Sequence, residues 1–365
     1  MAKILTVVGT RPEAIKMAPI ILGLKNATWA HVRVLATAQH RDMLDQVLEF
    51  FNILPDIDLN IMQPNQSLTA LTARLLLALD DVLLSEKPDV VLVQGDTTTV
   101  MAVTMSCFYN RIPVAHVEAG LRTWDIQNPF PEEANRVIAT KLASWHFAPT
   151  IGARDNLIRD GVRKDKIVVT GNTVIDALLM TAELNLPLDI NLNNSKRMVL
   201  VTAHRRENFG APFREICRAL KTIAENNRDV QFLYPVHPNP NVRNIAHNFF
   251  SSLDNFVLCE PLEYASFVAA MKRAHFIITD SGGVQEEAPA LGKPVLVLRK
   301  DTERPEAVAD RAVKLVGSEY ENIVGEVQLL LDDPAVYASM ARGVSPYGDG
   351  HAAERIIAIL RKHYS

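Results

Sequence analysis

The sequence predicts an α/β protein of two doubly wound, Rossmann-like domains. Its 365 residues are enough for roughly two domains at about 150 residues each. Short runs rich in Val, Ile and Leu alternate with longer segments of helical period, as expected for buried parallel strands covered by helices on both faces. These runs fall into two sets, separated by an Asn-rich stretch with a Pro, residues 185–197, that carries no periodicity.

The first set of expected strands is Ile4–Val8, Val32–Ala36, Val90–Val93, Val114–Val117, Trp145–Ala148 and Ile167–Val169. The second is Met198–Thr202, Val230–Tyr234, Phe256–Cys259, Phe276–Thr279, Val295–Leu298 and Val313–Val316. Near the C-terminus, Ile356, Ile357, Leu360 and His363 share a helical spacing, so a final helix is expected to cross back onto the first domain. The expected domains are therefore residues 1–170 with 350–365, and residues 171–349.

Composition narrows the function. Apolar residues make up 48% of the chain and charged residues 22%, with a net charge of -4. A chain without excess positive charge lacks the footprint of a nucleic-acid binder, so any phosphate recognition must be local. Three scattered cysteines, Cys107, Cys217 and Cys259, offer neither a disulfide framework nor a paired metal site and read as reduced core residues. No apolar run approaches the roughly 20 residues that span a bilayer. A cytoplasmic protein with no membrane partner is expected.

In open parallel sheets ligands bind outside the carboxyl ends of the strands, so the loops there hold the candidates. Gly9-Thr10-Arg11-Pro12-Glu13 follows the first strand; Gly9 permits a tight turn, Pro12 suits a helix start, and the helix amides with Arg11 and Lys16 would receive an anion. Asp280-Ser281-Gly282-Gly283 has the same character. Its two glycines remove the side chains that keep a diphosphate from the backbone, Ser281 adds a hydroxyl, and Glu287 lies one helical turn on, within reach of ribose hydroxyls. Asp96 and Glu118 follow the third and fourth strands, although an Asp in such a loop commonly caps the next helix. Glu132 and Glu133 open another helix, where dipole compensation is the alternative. His204, Arg205 and His237 follow strands of the second half, where a buried, satisfied histidine is the alternative. Fingerprints for NAD and for kinase-type ATP sites are missing from the sequence.

Taken together, Gly9–Pro19, Gln94-Gly-Asp-Thr-Thr-Thr99, His116-Val-Glu-Ala-Gly-Leu-Arg-Thr123, Thr202-Ala-His-Arg-Arg-Glu-Asn208, Asp280-Ser-Gly-Gly-Val-Gln-Glu-Glu-Ala-Pro289 and Thr302-Glu-Arg-Pro-Glu306 resemble the bacterial non-hydrolysing UDP-N-acetylglucosamine 2-epimerases. The match runs from Gly9 to Gly350. The resemblance implies the glycosyltransferase-B architecture with the nucleotide sugar in the interdomain cleft, a homodimer, and no cofactor or metal. It implies reversible conversion of UDP-N-acetylglucosamine to UDP-N-acetylmannosamine for surface polysaccharides, by elimination of UDP and its re-addition to 2-acetamidoglucal.

By the same resemblance, Asp96, Glu118 and Glu132 move protons, and His204 assists departure of UDP. Arg11, Lys16, Ser281, Gly282 and Gly283 clamp the diphosphate, Phe267 and Arg304 lie near the uridine, and Glu287 binds the ribose. Gln39, Arg205 and His237 match positions linked to a second, activating substrate molecule, although residues 63–66 here offer no basic side chain. A hydrolysing epimerase and a glycosyltransferase of the same architecture remain alternatives.

Overall fold

A computed structural model describes the chain apart from residues 38–40, 64, 65, 303 and 344 and the side chains of Arg41 and Asp42. The chain divides into two compact units, Met1–Ala177 with Gly348–Ser365, and Leu178–Tyr347. The division falls within one helix, Thr173–Glu183, seven residues beyond the sequence-based boundary at 170. A switch placed inside a helix leaves no Pro or Gly signal in the sequence to mark it.

The first unit runs β1 (Ala2–Val8), α1 (Arg11–Lys25), β2 (Ala30–Ala36), α2 (Arg41–Phe50), β3 (Ile57–Asp58), α3 (Leu68–Glu86), β4 (Val90–Gln94), α4 (Thr98–Tyr109), β5 (Val114–Val117), α5 (Glu132–Leu142), β6 (Trp145–Ala148), α6 (Ile151–Arg159), β7 (Ile167–Val169) and α7 (Thr173–Glu183). Its seven strands lie in the order β3-β2-β1-β4-β5-β6-β7, every neighbouring pair parallel. Two-residue β3 was not expected, because a strand that short carries no periodicity to read. All five residues of β4 are buried, the pattern of a central strand covered on both sides. On one face Leu71, Leu75, Leu79 and Leu83 of α3, at four-residue intervals, pack with Leu5, Val7, Val91, Val93 and the α4 residues Val103 and Cys107.

The second unit continues with β8 (Arg197–Thr202), α8 (Ala211–Asn226), β9 (Val230–Pro235), α9 (Pro240–Phe250), β10 (Phe256–Cys259), α10 (Tyr264–Arg273), β11 (Phe276–Thr279), α11 (Gly282–Ala290), β12 (Val295–Val297), α12 (Pro305–Ala309), β13 (Val313–Leu315), α13 (Tyr320–Asp332) and α14 (Pro334–Met340). Its six strands are ordered β10-β9-β8-β11-β12-β13 and also parallel. The core joins Val199 and Val201 to Ile216, Leu220 and Ile223 of α8, with Phe250 stacked on Phe256 at 3.9 Å.

In each sheet the strand order reverses about its first strand, between β1 and β4 and between β8 and β11. Such switch points open a crevice at the carboxyl ends. The last helix, α15 (Ala352–Tyr364), belongs to the first unit and packs on α1. Gly23 makes room for it, since a Cβ there would meet Ile357 Cδ1 at 2.5 Å. Asp176 of α7 accepts the backbone N–H of Ala352 at 3.3 Å and of Ala353 at 2.8 Å, satisfying two amides that every helix start leaves open.

Candidate active site

In the first unit, Glu118 stands one residue past β5 and is buried. Its φ of 61° is a left-handed value that costs a non-glycine residue roughly 1–2 kcal/mol, the kind of strain that concentrates at functional sites. Lys16 of α1 donates to both carboxylate oxygens, at 2.7 and 2.6 Å. Asn172 donates to Oε1 at 2.8 Å, and Gln94, the last residue of β4, donates to Oε2. Lys16 is thus held on Glu118, not extended alone from α1.

Asp96 does not cap α4; Thr97 does, accepting from Val100 N at 3.4 Å. Asp96 Oδ2 accepts from Arg136 Nε at 2.9 Å and Nη2 at 2.7 Å, and its carbonyl accepts from Asn135 Nδ2 at 2.9 Å. Arg136 reaches back to buried Glu133 at 3.0 Å. Glu133 is therefore engaged structurally, while Glu132, the first residue of α5, is half-exposed.

The turn after β1 is closed by Glu13. Its Oε2 accepts from Gly9 N at 2.6 Å and Thr10 N at 3.0 Å, and its Oε1 accepts from Thr97 Oγ1 at 2.6 Å. Burial pushes this carboxyl up from 4.5 to about 7, against the pull of those three donors. These two amides belong to the turn just ahead of α1; they are not the helix amides expected to face an external anion. Arg11 lies half-exposed at the first position of α1. A Cβ on Gly9 would meet Thr37 Oγ1 at 2.7 Å and Thr99 Oγ1 at 2.8 Å, which explains the glycine.

The loop ahead of Asp96 is braced from below. His116 of β5 is buried, and its Nε2 lies 2.7 Å from the Gly95 carbonyl. Burial lowers the His116 pKa, so the neutral ring donates from Nε2.

In the second unit, Asp280 follows β11 and is fully buried. Its Oδ2 accepts from His204 N at 2.9 Å, Arg205 N at 2.8 Å and Asn208 Nδ2 at 3.2 Å, tying the β8 loop to the β11 loop. The His204 side chain is 40% exposed, and its ring stacks on His237 at 5.4 Å. His237 is itself exposed, with Nδ1 accepting from Asn239 N at 3.1 Å. Neither is the buried core histidine that such residues usually are.

Ser281 precedes α11, whose start carries no side-chain cap; Ser281 N donates to Thr279 Oγ1 at 2.9 Å. Gly282 is buried and Gly283 exposed, and Glu287 lies beneath the latter, its Oε1 3.3 Å from where a Gly283 Cβ would sit. Arg304 is paired with buried Glu286. Thr302 Oγ1 donates to Gln285 at 2.6 Å and accepts from Arg304 N at 3.0 Å, so Thr302 is fastened to α11 and holds Arg304 beside it. Phe267 is half-buried on α10. Gln39 lies outside the described residues.

Glu13, Arg136, Asn172 and Asp280 matter to this geometry, and the sequence reading assigned them no role. Thr10-x-x-Glu13 is a capping-box spacing that signals Glu13. Asn172 sits in the loop after β7 and Asp280 in the loop after β11, both visible as strand-end positions. Arg136 carries no local signal, since its partner is 40 residues away.

Two doubly wound units, with an uncapped, glycine-started helix in one and clustered carboxylates in the other, define a Rossmann-type α/β enzyme of the glycosyltransferase-B class. Residues 23–361 match the family model for UDP-N-acetylglucosamine 2-epimerase, and the chain belongs to that family. It is 53% identical over 371 aligned positions to UDP-N-acetylglucosamine 2-epimerase of Escherichia coli K12, covering 99% of each chain. The Salmonella typhimurium enzyme of that name is 52% identical with the same coverage. The crystal structure of UDP-GlcNAc 2-epimerase from Neisseria meningitidis bound to UDP-GlcNAc superposes with a TM-score of 0.89 at 49% identity, covering 99% of this chain and 100% of that one. Among the described residues no helix is long and apolar enough to cross a membrane.

Proposed function

We propose that this isomerase interconverts UDP-N-acetylglucosamine and UDP-N-acetylmannosamine by eliminating UDP and adding it back. The C2 proton is not adjacent to a carbonyl, so direct abstraction would be very slow. Breaking the bond between C1 and the UDP oxygen gives an oxocarbenium-like state whose C2 proton is acidic. Loss of that proton leaves 2-acetamidoglucal and UDP. The product forms when a proton is delivered to the opposite face of C2 and UDP re-adds at C1. Such a route needs acid/base groups near the ring and fixed donors for the leaving diphosphate.

The observation that carries this reading is Glu118, a buried carboxylate in a left-handed conformation, held by Lys16, Gln94 and Asn172. Asp96, oriented by Arg136, and Glu132, at the head of α5, join it in proton transfer. The diphosphate goes to the Ser281 hydroxyl and the amides of Gly282 and Gly283, the Ser281 amide being held by Thr279, and the α11 dipole adds to the hydrogen bonds. Arg11 and Lys16 complement its charge, with Lys16 moving between Glu118 and phosphate. Glu287 takes the ribose, Phe267 and Arg304 flank the uridine, and His204 stabilises the departing diphosphate.

The enzyme is proposed to act in the cytoplasm, supplying surface-polysaccharide precursors. It is proposed to work as a homodimer; exposed Leu77 and Leu84 of α3 and Phe108 and Tyr109 of α4 offer apolar surface for a second copy, which light scattering tests. Activation by a second substrate molecule, involving Arg205, His237 and Gln39, is the corresponding regulatory proposal. Product analysis tests the activity. Purified protein incubated with UDP-N-acetylglucosamine should yield a mixture of the two UDP-sugars. Free N-acetylmannosamine accumulating with UDP would establish the hydrolysing reaction instead, and transfer to an acceptor a glycosyltransferase.

A further inference from the structure

Asp280 has two oxygens with different surroundings. Oδ2 is saturated by the backbone N–H groups of His204 and Arg205 and the Asn208 amide. Oδ1 is buried and has no hydrogen-bond partner. The His204 ring Nδ1 lies 3.6 Å from it, and the Tyr234 hydroxyl, which also feels Asp280, is committed to the Ala203 carbonyl. That is longer than a made hydrogen bond, and catalytic hydrogen bonds are often long until ligand arrives. An orphaned carboxylate oxygen in a fully buried residue costs free energy, and rotation of the partly exposed imidazole satisfies it.

The ring has few other constraints. His237, on the β9 loop, stacks parallel to it within 8°, and its own Nδ1 is occupied by Asn239 N. His237 therefore supplies a face and no acceptor for Nδ1 of His204. Arg205, the next residue on the same loop, is a cation and cannot accept either. Asp280 is thus the acceptor that geometry offers to Nδ1.

We infer that Asp280 is a positioning residue for His204: its Oδ1 accepts the Nδ1 proton, fixing the ring so that Nε2 faces the leaving diphosphate. This rests on the proposed role of His204 and goes beyond it by naming what sets the tautomer. Burial, His237 and Arg205 each work against a charged His204, and Asp280 is the one neighbour that favours it. A carboxylate at this position favours the imidazolium, which takes its second proton from solvent before the bond breaks and donates Nε2–H to the diphosphate as negative charge develops on UDP.

Asp280→Asn tests it in the full-length enzyme. The remaining oxygen still serves the two backbone amides, while the new NH2 faces Nδ1 and turns the ring to the wrong tautomer. Turnover should fall by about a hundredfold or more, with KM within a few-fold and the thermal midpoint little changed. The alkaline limb of the kcat profile should move to lower pH, since the active imidazolium loses the group that favours its protonation. In a His204→Ala background the same substitution should cost nothing further. Equal loss in both backgrounds, or normal turnover in Asp280→Asn alone, overturns the inference.

Long-range 1H–15N spectra of wild-type protein, with the His204 signal assigned by its loss in His204→Ala, give a reading independent of any Asp280 variant. Neutral His204 protonated at Nδ1 is expected. Protonation at Nε2 contradicts the inference. Near-normal turnover in His204→Ala would instead remove the catalytic role of His204, leaving the spectrum to judge the pairing alone.

Discussion

The two units share one winding order over six strands, with a seventh added in the first, and use their strand ends in opposite ways. In the first, charge is satisfied internally: Glu13 takes the amides of Gly9 and Thr10, Lys16 lies on Glu118, and Arg136 on Asp96. In the second, the start of α11 has no side-chain cap, Gly283 is exposed, and one oxygen of Asp280 is unsatisfied. A preorganised network suits carboxylates that must be held in place for proton transfer, Lys16 being the member proposed to move, whereas open amides suit a site that takes its anion from outside. The proposed function accordingly assigns proton transfer to the first copy of the scaffold and the amide part of anion recognition to the second.

The largest effects should separate the two roles. Asp96→Asn, Glu118→Gln and Glu132→Gln are each expected to lower turnover by about a hundredfold or more, while UDP binding by calorimetry stays close to wild type. Near-normal turnover in any one of them removes that residue from the chemistry. A large loss of UDP affinity would place nucleotide recognition among the carboxylates and undo the comparison.

The internal network of the first unit should show in its stability. Glu13 has a folded-state pKa of about 7 against 4.5 in the unfolded chain. A raised pKa makes its stabilisation greatest below pH 4.5 and progressively lost as pH rises to 7. At 1.36 kcal/mol per unit this amounts to about 3 kcal/mol as an order of magnitude. Glu13→Gln should remove this slope, so wild type loses stability relative to the variant from pH 5 to pH 8. Trp29, Trp124 and Trp145 all lie in the first unit, so tryptophan fluorescence during urea unfolding reads it selectively. Parallel pH profiles for the two proteins would show that Glu13 titrates normally.

Gly283→Ala should act on the second unit alone. Its Cβ would lie 3.3 Å from Glu287 Oε1, so the flexible Glu287 side chain must give by a few tenths of an ångström, and a methyl is added at the exposed start of α11. A roughly tenfold rise in the Kd for UDP is expected, about 1.4 kcal/mol, with the thermal midpoint unchanged. Unaltered UDP affinity would mean the nucleotide does not approach α11. As a baseline, Arg243→Ala breaks an exposed pair with Glu260 and should shift stability by under about 0.5 kcal/mol with turnover unaffected.

Fold class and strand positions were legible because strands buried on both faces write themselves as continuous apolar runs. Two-residue β3 and the division inside α7 were not, because neither leaves a local pattern. The strand-end rule located Asp96, Glu118 and His204 as candidates. It could not show that Lys16 rests on Glu118, 102 residues away, or that Glu13 takes the amides of the turn ahead of its own helix. Such pairings depend on which strands become neighbours, and topology, not spacing, decides that. The fate of Asp96 shows the same limit: Thr97 next to it was equally able to cap, and Arg136, supplied by α5, decided between them.

The central claim is that the C2 proton leaves and returns from solvent-exchangeable groups while the sugar is parted from UDP. Incubating the purified enzyme with UDP-N-acetylglucosamine in deuterated water tests this most directly. UDP-N-acetylmannosamine carrying deuterium at C2 is the expected result. Epimerised product that retains the original proton at C2 would contradict the account.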